Sequence, residues 1–95
     1  MFARIGIWQG SDEELDRWIT RSRDQVKPSV QSQAGVAGAY WLVDRAGQKA
    51  LTITLWKSES ALRASDAFAA RTQATTASVS GAQVTTERFE IVDRL

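Results

Sequence analysis

The stretch Leu51–Ser65, LTITLWKSESALRAS, decides the fold. Leu51, Ile53 and Leu55 alternate with Thr52, Thr54 and Trp56, the period of two that a β-strand requires. The pattern breaks at Lys57-Ser58, where the Ser58 hydroxyl suits the N-cap of a helix whose first turn carries Glu59. Beyond it Ala61, Leu62, Ser65, Phe68, Ala69 and Thr72 recur at helical spacing. A strand therefore runs into a helix without a loop, and Trp56 stands at the junction.

Upstream, Phe2–Trp8 reads as a first strand with Ala3, Ile5 and Ile7 on one face and Phe2, Arg4, Gly6 and Trp8 on the other. Ser11-Asp12-Glu13-Glu14 has the form of a capping box, with the Ser11 hydroxyl serving the Glu14 N–H and the Glu14 carboxylate reaching back. The helix that follows places Leu15, Trp18, Ile19, Ser22 and Val26 on one side. Pro28, lacking an N–H, kinks or restarts it after Lys27, and Val30–Gln33 add a final turn. Gly35 and Gly38 lead into a second strand, Ala39–Asp44. The turn Asp44-Arg45-Ala46-Gly47, closed by a left-handed residue, returns the chain as Lys49–Trp56. The second helix is predicted over Glu59–Ala77, with a Thr/Ser/Ala-rich end prone to fraying and Gly81 as its stop. Val84–Val92 forms the last strand.

The order β-α-β-β-α-β over one domain, residues 1–95, gives the α+β class. The expected arrangement is ferredoxin-like, a four-stranded antiparallel sheet with two helices on one face. The other face is not polar whichever way the strand is turned: with Thr52, Thr54 and Trp56 toward the helices it carries Leu51, Ile53 and Leu55, and with the faces reversed it carries Trp56. Burying three such aliphatic side chains contributes about 1.5–3 kcal/mol each. A homodimer joined through the sheet faces is the economical way to cover them.

Composition narrows the chemistry. The 95 residues carry a net charge of +1, too little for a nucleic-acid or membrane surface, and strand three lacks the basic and aromatic pattern of an RNA-recognition module. No cysteine, histidine or asparagine is present, which removes thiolate ligands, the commonest general base and the usual haem ligand. No metal site and no cofactor is expected. The N-terminal run is too short and too interrupted by Arg4 for a signal peptide, no segment is apolar enough to span a membrane, and a cytoplasmic location is the default. Four tryptophans exceed what so small a monomer hides easily, which points to an interface or a ligand cavity.

The run GVAGAYWLVDRAGQKALTITLWKSESALRAS resembles antibiotic-biosynthesis-monooxygenase-like domains of the dimeric α+β barrel superfamily. The matching features are Gly35 and Gly38, the aromatic Tyr40-Trp41, the turn at Asp44 and Gly47, and above all Trp56-Lys57-Ser58 leading into an Ala/Leu helix. The resemblance implies two protomers joining sheets into a barrel, each with a pocket between sheet and helices. In that family the pocket hosts cofactor-independent oxygenation of polycyclic aromatic or quinol substrates, or porphyrin cleavage in a haem-degrading branch. The latter needs a helix histidine and a first-strand asparagine, which this chain lacks.

The candidate pocket residues are Trp56, Thr54, Arg4, Trp18 and Phe68. Trp56 either stacks on a flat ligand or closes the sheet–helix junction. Arg4 either binds a carboxylate or enolate oxygen, or pairs with Glu87 or Glu90 on the last strand; Arg88 carries the same ambiguity. Gly6, Thr52 and Thr54 are small enough to leave volume beneath a helix, or to let it pack closely. Asp66, Ser65 and Tyr40 are conceivable proton-transfer groups, yet none forms a dyad. The sequence thus admits a cofactor-independent monooxygenase acting on a planar aromatic or quinol metabolite, a non-catalytic dimeric binding or accessory domain, and a domain that only dimerises.

Overall fold

The computed structural model describes residues 1–95. Four strands form one antiparallel sheet in the order β2-β3-β1-β4: β1 Phe2–Gln9, β2 Val36–Asp44, β3 Lys49–Trp56 and β4 Gln83–Glu90. The helices are α1 Asp12–Arg21, α2 Lys27–Gln31, α3 Glu59–Ala64 and α4 Asp66–Ser80, with a π-helical turn, Ser22–Val26, between α1 and α2. The ferredoxin-like βαββαβ plan is the observed one, each of its two helices being divided.

The division of the first helix has a readable cause. Trp18, Ser22, Val26 and Val30 follow one another every four residues, and all four are buried. In an α-helix four steps overshoot a full turn by about 40°, so three intervals would carry Val30 about 120° around from Trp18. The wider π turn, in which the Lys27 N–H bonds to Ser22 O, cancels part of that drift. Pro28 then sits in the first turn of α2, where its missing N–H costs nothing. The capping box at Ser11 and Glu14 is present in both directions.

Three sequence expectations are corrected. The second helix is not continuous from Glu59 to Ala77: it breaks at Ser65, whose hydroxyl bonds back to Leu62 O, and restarts at Asp66. Its Thr/Ser-rich end is not frayed but helical to Ser80, because arginines of α1 tie it down. Arg21 Nε donates to Thr76 Oγ1 at 3.1 Å and Arg17 Nε to Ser80 O at 3.1 Å. In the β2–β3 turn the left-handed residue is Gln48, not Gly47, whose N–H instead bonds to the Asp44 carboxylate. Element ends also shift, β2 beginning at Val36 through a bulge and β4 ending at Glu90. Gly81 does end α4, at φ +83°, and a Cβ there would stand 2.6 Å from the Glu14 carboxylate.

Register fixes the two faces. On the helix side lie Trp41, Thr52, Gly6 and Thr86 in one row and Ala39, Thr54, Arg4 and Arg88 in the next. The far side carries Leu42, Leu51 and Ile7 in one row, Tyr40, Ile53 and Ile5 in the next, then Leu55, Ala3 and Phe89. Tyr40, Leu42 and Phe89 are exposed there at 60%, 45% and 49%, so in a single chain this apolar face is uncovered. Trp8, Trp41 and Trp56 face the helix layer; Trp8 joins Leu15, Trp18, Ala50 and Ala82 in the core, and Trp41 packs against it.

Candidate functional site

Two β3 threonines organise the helix side of the sheet. Thr54 Oγ1 accepts the Trp56 indole N–H at 3.0 Å, and Thr52 Oγ1 accepts that of Trp8 at 3.2 Å. Each hydroxyl fixes one ring plane against the sheet while contributing little bulk of its own. Gly6 lies opposite Thr52 on β1, and a Cβ there would stand 3.0 Å from the Trp8 indole nitrogen. Trp8 in turn packs on Trp18 of α1, with ring centroids 6.0 Å apart at a tilt of 53°.

Because these sheet residues are small and their neighbours rigid, a void remains between sheet and helices. Its floor is Gly6, Thr52 and Thr54, with Trp8, Trp41 and Trp56 around it. Trp18, Ser22, Val26 and Val30 roof one side, and Phe68, Ala69, Thr72, Gln73 and Thr76 of α4 roof the other. The five sequence candidates, Trp56, Thr54, Arg4, Trp18 and Phe68, all border it. The cavity measures about 50 Å³. That admits a few water molecules, whereas an apolar cavity known to take one benzene ring measures about 150 Å³.

Arg4 closes one end. Its guanidinium donates to Ser65 Oγ at 3.0 Å, Leu62 O at 2.9 Å and the Asp66 carboxylate at 2.6 Å, and lies 5.7 Å from the centre of the Trp56 ring. The expected partners Glu87 and Glu90 are not used. Glu87 lies on the opposite face of the sheet, and the α3–α4 break presents three acceptors directly above Arg4. Arg88 shares the same Asp66 carboxylate at 3.1 Å, so one acid serves two cations. Burial pushes the Arg4 guanidinium below the ordinary arginine value, against the pull of Asp66.

Of the conceivable proton-transfer groups, Tyr40 points to the far face and away from the cavity. Ser65 and Asp66 are engaged by Arg4. No three acidic side chains cluster where they could hold a metal ion.

Sequence reasoning did not single out Trp41 as a site residue. Its indole nitrogen is buried with no hydrogen-bond partner, the one buried side-chain polar atom in the chain so placed. The strand alternation put Trp41 opposite Tyr40 and Leu42, and the sheet register makes that the cavity side.

No protein-family model matches the chain. Two uncharacterized proteins of Mycobacterium tuberculosis, MT2634 and Rv2557, are 32% identical to it over 65 residues, 68% of this chain and 29% of each relative's length. Among solved structures, the heme-degrader MhuD of M. tuberculosis, with two hemes bound in its active site, superposes at TM-score 0.75 and 19% identity over 100% of this chain and 99% of its own. A point mutant of SnoaB, a cofactor-independent oxygenase of Streptomyces nogalater, gives TM-score 0.74 and 13% identity over 99% and 95%. A dimeric ferredoxin-like protein from an uncultured marine organism gives 0.69 and 18% over 99% and 97%. At such identities the likeness is one of fold, and the fold is that of the antibiotic-biosynthesis-monooxygenase-like, ferredoxin-fold proteins.

Proposed function

We propose that this domain binds a planar, largely apolar small molecule between sheet and helices and works as a homodimer. The observation that carries the reading is the cavity under Trp56, bordered by four indoles that two threonines and a glycine leave space for. The indole of Trp56 offers a face on which a flat ring can stack, and the fold is one that SnoaB and MhuD share. The cavity of about 50 Å³ is smaller than the ligand, so the ring occupies it by extending into neighbouring space.

If the domain is catalytic, cofactor-free oxygenation of an acidic phenol or quinol is the chemistry the site supports. The substrate loses its phenolic O–H proton, and the phenolate, with carbanion character at its para carbon, passes one electron to dioxygen, the peroxide anion formed at that carbon later taking up a proton. The radical pair joins through a C–O–O bond, and the hydroperoxide sheds water to leave a carbonyl. One oxygen atom ends in the product and the other in water. With the nearby acid held by two arginines, the proton leaves through the substrate's own acidity. Arg4 at the cavity's end would favour the enolate oxygen so formed.

The sheet's far face supports the dimer. Its apolar rows are those that a second sheet would cover, as the dimeric neighbour of the same fold makes reasonable. Oxygen uptake with a panel of hydroquinones and anthrones tests catalysis: wild type is expected to consume oxygen and Trp56→Ala to lose most of that rate. Ligand binding without uptake by either protein would favour the second reading, a non-catalytic dimeric binding or accessory domain.

A further inference from the structure

A second void adjoins the cavity. Between β2 and the helix layer runs a groove of about 400 Å³, walled by Trp18, Ile19, Ser22, Arg23, Lys27, Trp41 and Val43. Trp18, Ser22 and Trp41 border both spaces, so they form the partition between a smaller cavity and a larger groove. The groove has the volume that the cavity lacks, within the several hundred Å³ of ordinary ligand sites.

Its chemistry is one-sided. Arg23 and Lys27 are its charged walls, neither takes part in an ion pair, and no acid lines it. The acids of the same helical stretch, Asp16 and Asp24, line a different groove with Arg17 and Arg21. The partition itself contains the unpartnered indole N–H of Trp41, a group that can only donate. A buried donor left without an acceptor forfeits the hydrogen bond it would make in water, and a ligand oxygen would restore it.

We infer that this groove is an anion subsite: it takes the carboxylate of a planar organic acid, held by Arg23 and Lys27, while an oxygen of that ligand accepts the Trp41 N–H. The placement of the ring past Trp18 and Ser22 rests on the reading above that the cavity receives it. The ligand class becomes an aromatic or polycyclic carboxylate, whose acid group stays at the solvent side.

The test uses 2-naphthoate and its neutral analogue 2-naphthamide, titrated by tryptophan fluorescence and by the indole N–H resonances of the 15N-labelled protein. The double variant Arg23→Gln/Lys27→Gln is expected to weaken naphthoate about tenfold and naphthamide less than about twofold. The indole resonance missing from Trp41→Phe is expected to move downfield as naphthoate binds. Equal affinities for acid and amide, a Trp41 resonance unmoved at saturation, or no binding of naphthoate would each overturn the inference. Thr72→Leu, which fills the cavity, separates the two claims. Charge-dependent binding that it leaves untouched would keep the groove and remove the ring from the cavity. Weakened but charge-independent binding would keep the cavity and overturn the groove.

Discussion

Arg4 and Asp66 are coupled unequally, because Arg4 is buried while the Asp66 side chain is 37% exposed and shared with Arg88. Removing the acid strands a buried cation, whereas removing Arg4 leaves Asp66 with Arg88 and water. Asp66→Ala is therefore expected to destabilise by about 2–3 kcal/mol, below the about 3–5 of a fully buried broken pair, and Arg4→Met by less than half as much. Urea unfolding checks the order; equal losses would place the pair's stabilisation elsewhere. A second residue makes a pH prediction. The Glu14 carboxyl is held below its ordinary value of 4.5, first by the Ser11 backbone N–H and then by the Ser11 hydroxyl. A depressed folded value stabilises above the unfolded one and is lost as pH falls through the folded value. Wild type should thus lose melting temperature below about pH 4.5 more steeply than Glu14→Gln, which caps without titrating. Parallel pH profiles would contradict this. Glu14 was legible from its position three residues after Ser11. The partner of Arg4 was not, since the pairing spans 62 residues and depends on where α4 restarts.

At the scale of elements, the π turn shows what periodicity reveals and what it hides. The four-residue spacing of Trp18, Ser22, Val26 and Val30 has one residue more than an α-helix needs to keep a stripe in line, and the turn takes up the excess. Deleting the exposed Asp24 should convert Ser22–Val26 to α-helix and leave the fold intact, with stability changed by no more than about 1 kcal/mol. Helical circular dichroism and a retained cooperative melt check this; an unfolded deletion variant would show that the π turn is required for folding. The strand-to-helix junction at Trp56 was readable because a period of two meets a period of 3.6 at a capping serine, and Ser58 does accept the Ala61 N–H. The persistence of α4 to Ser80 was not, because its support comes from Arg17 and Arg21 on another helix.

For the molecule as a whole, alternation along four strands was enough to give the sheet two faces, and strand pairing then put Trp8, Trp41 and Trp56 on the one that the helices cover, facing Trp18 of α1. Cavity volume had no such signature. Gly6, Thr52 and Thr54 announce small side chains, but only the packed rings show that about 50 Å³ is left. The uncovered face makes the chain's assembly testable. Ile53, at the middle of its apolar rows, should tolerate Asp only at the expense of the dimer, shifting sedimentation toward the 10.5 kDa monomer. A wild type already at monomer mass would refute the face-to-face dimer. The central claim, that a flat ligand lodges under Trp56, is tested most directly by a crystal structure of the protein with 2-naphthoate. The ring is expected between Trp56 and Phe68 in a cavity enlarged toward Trp41; a ring bound elsewhere, with the space under Trp56 unchanged, would contradict it.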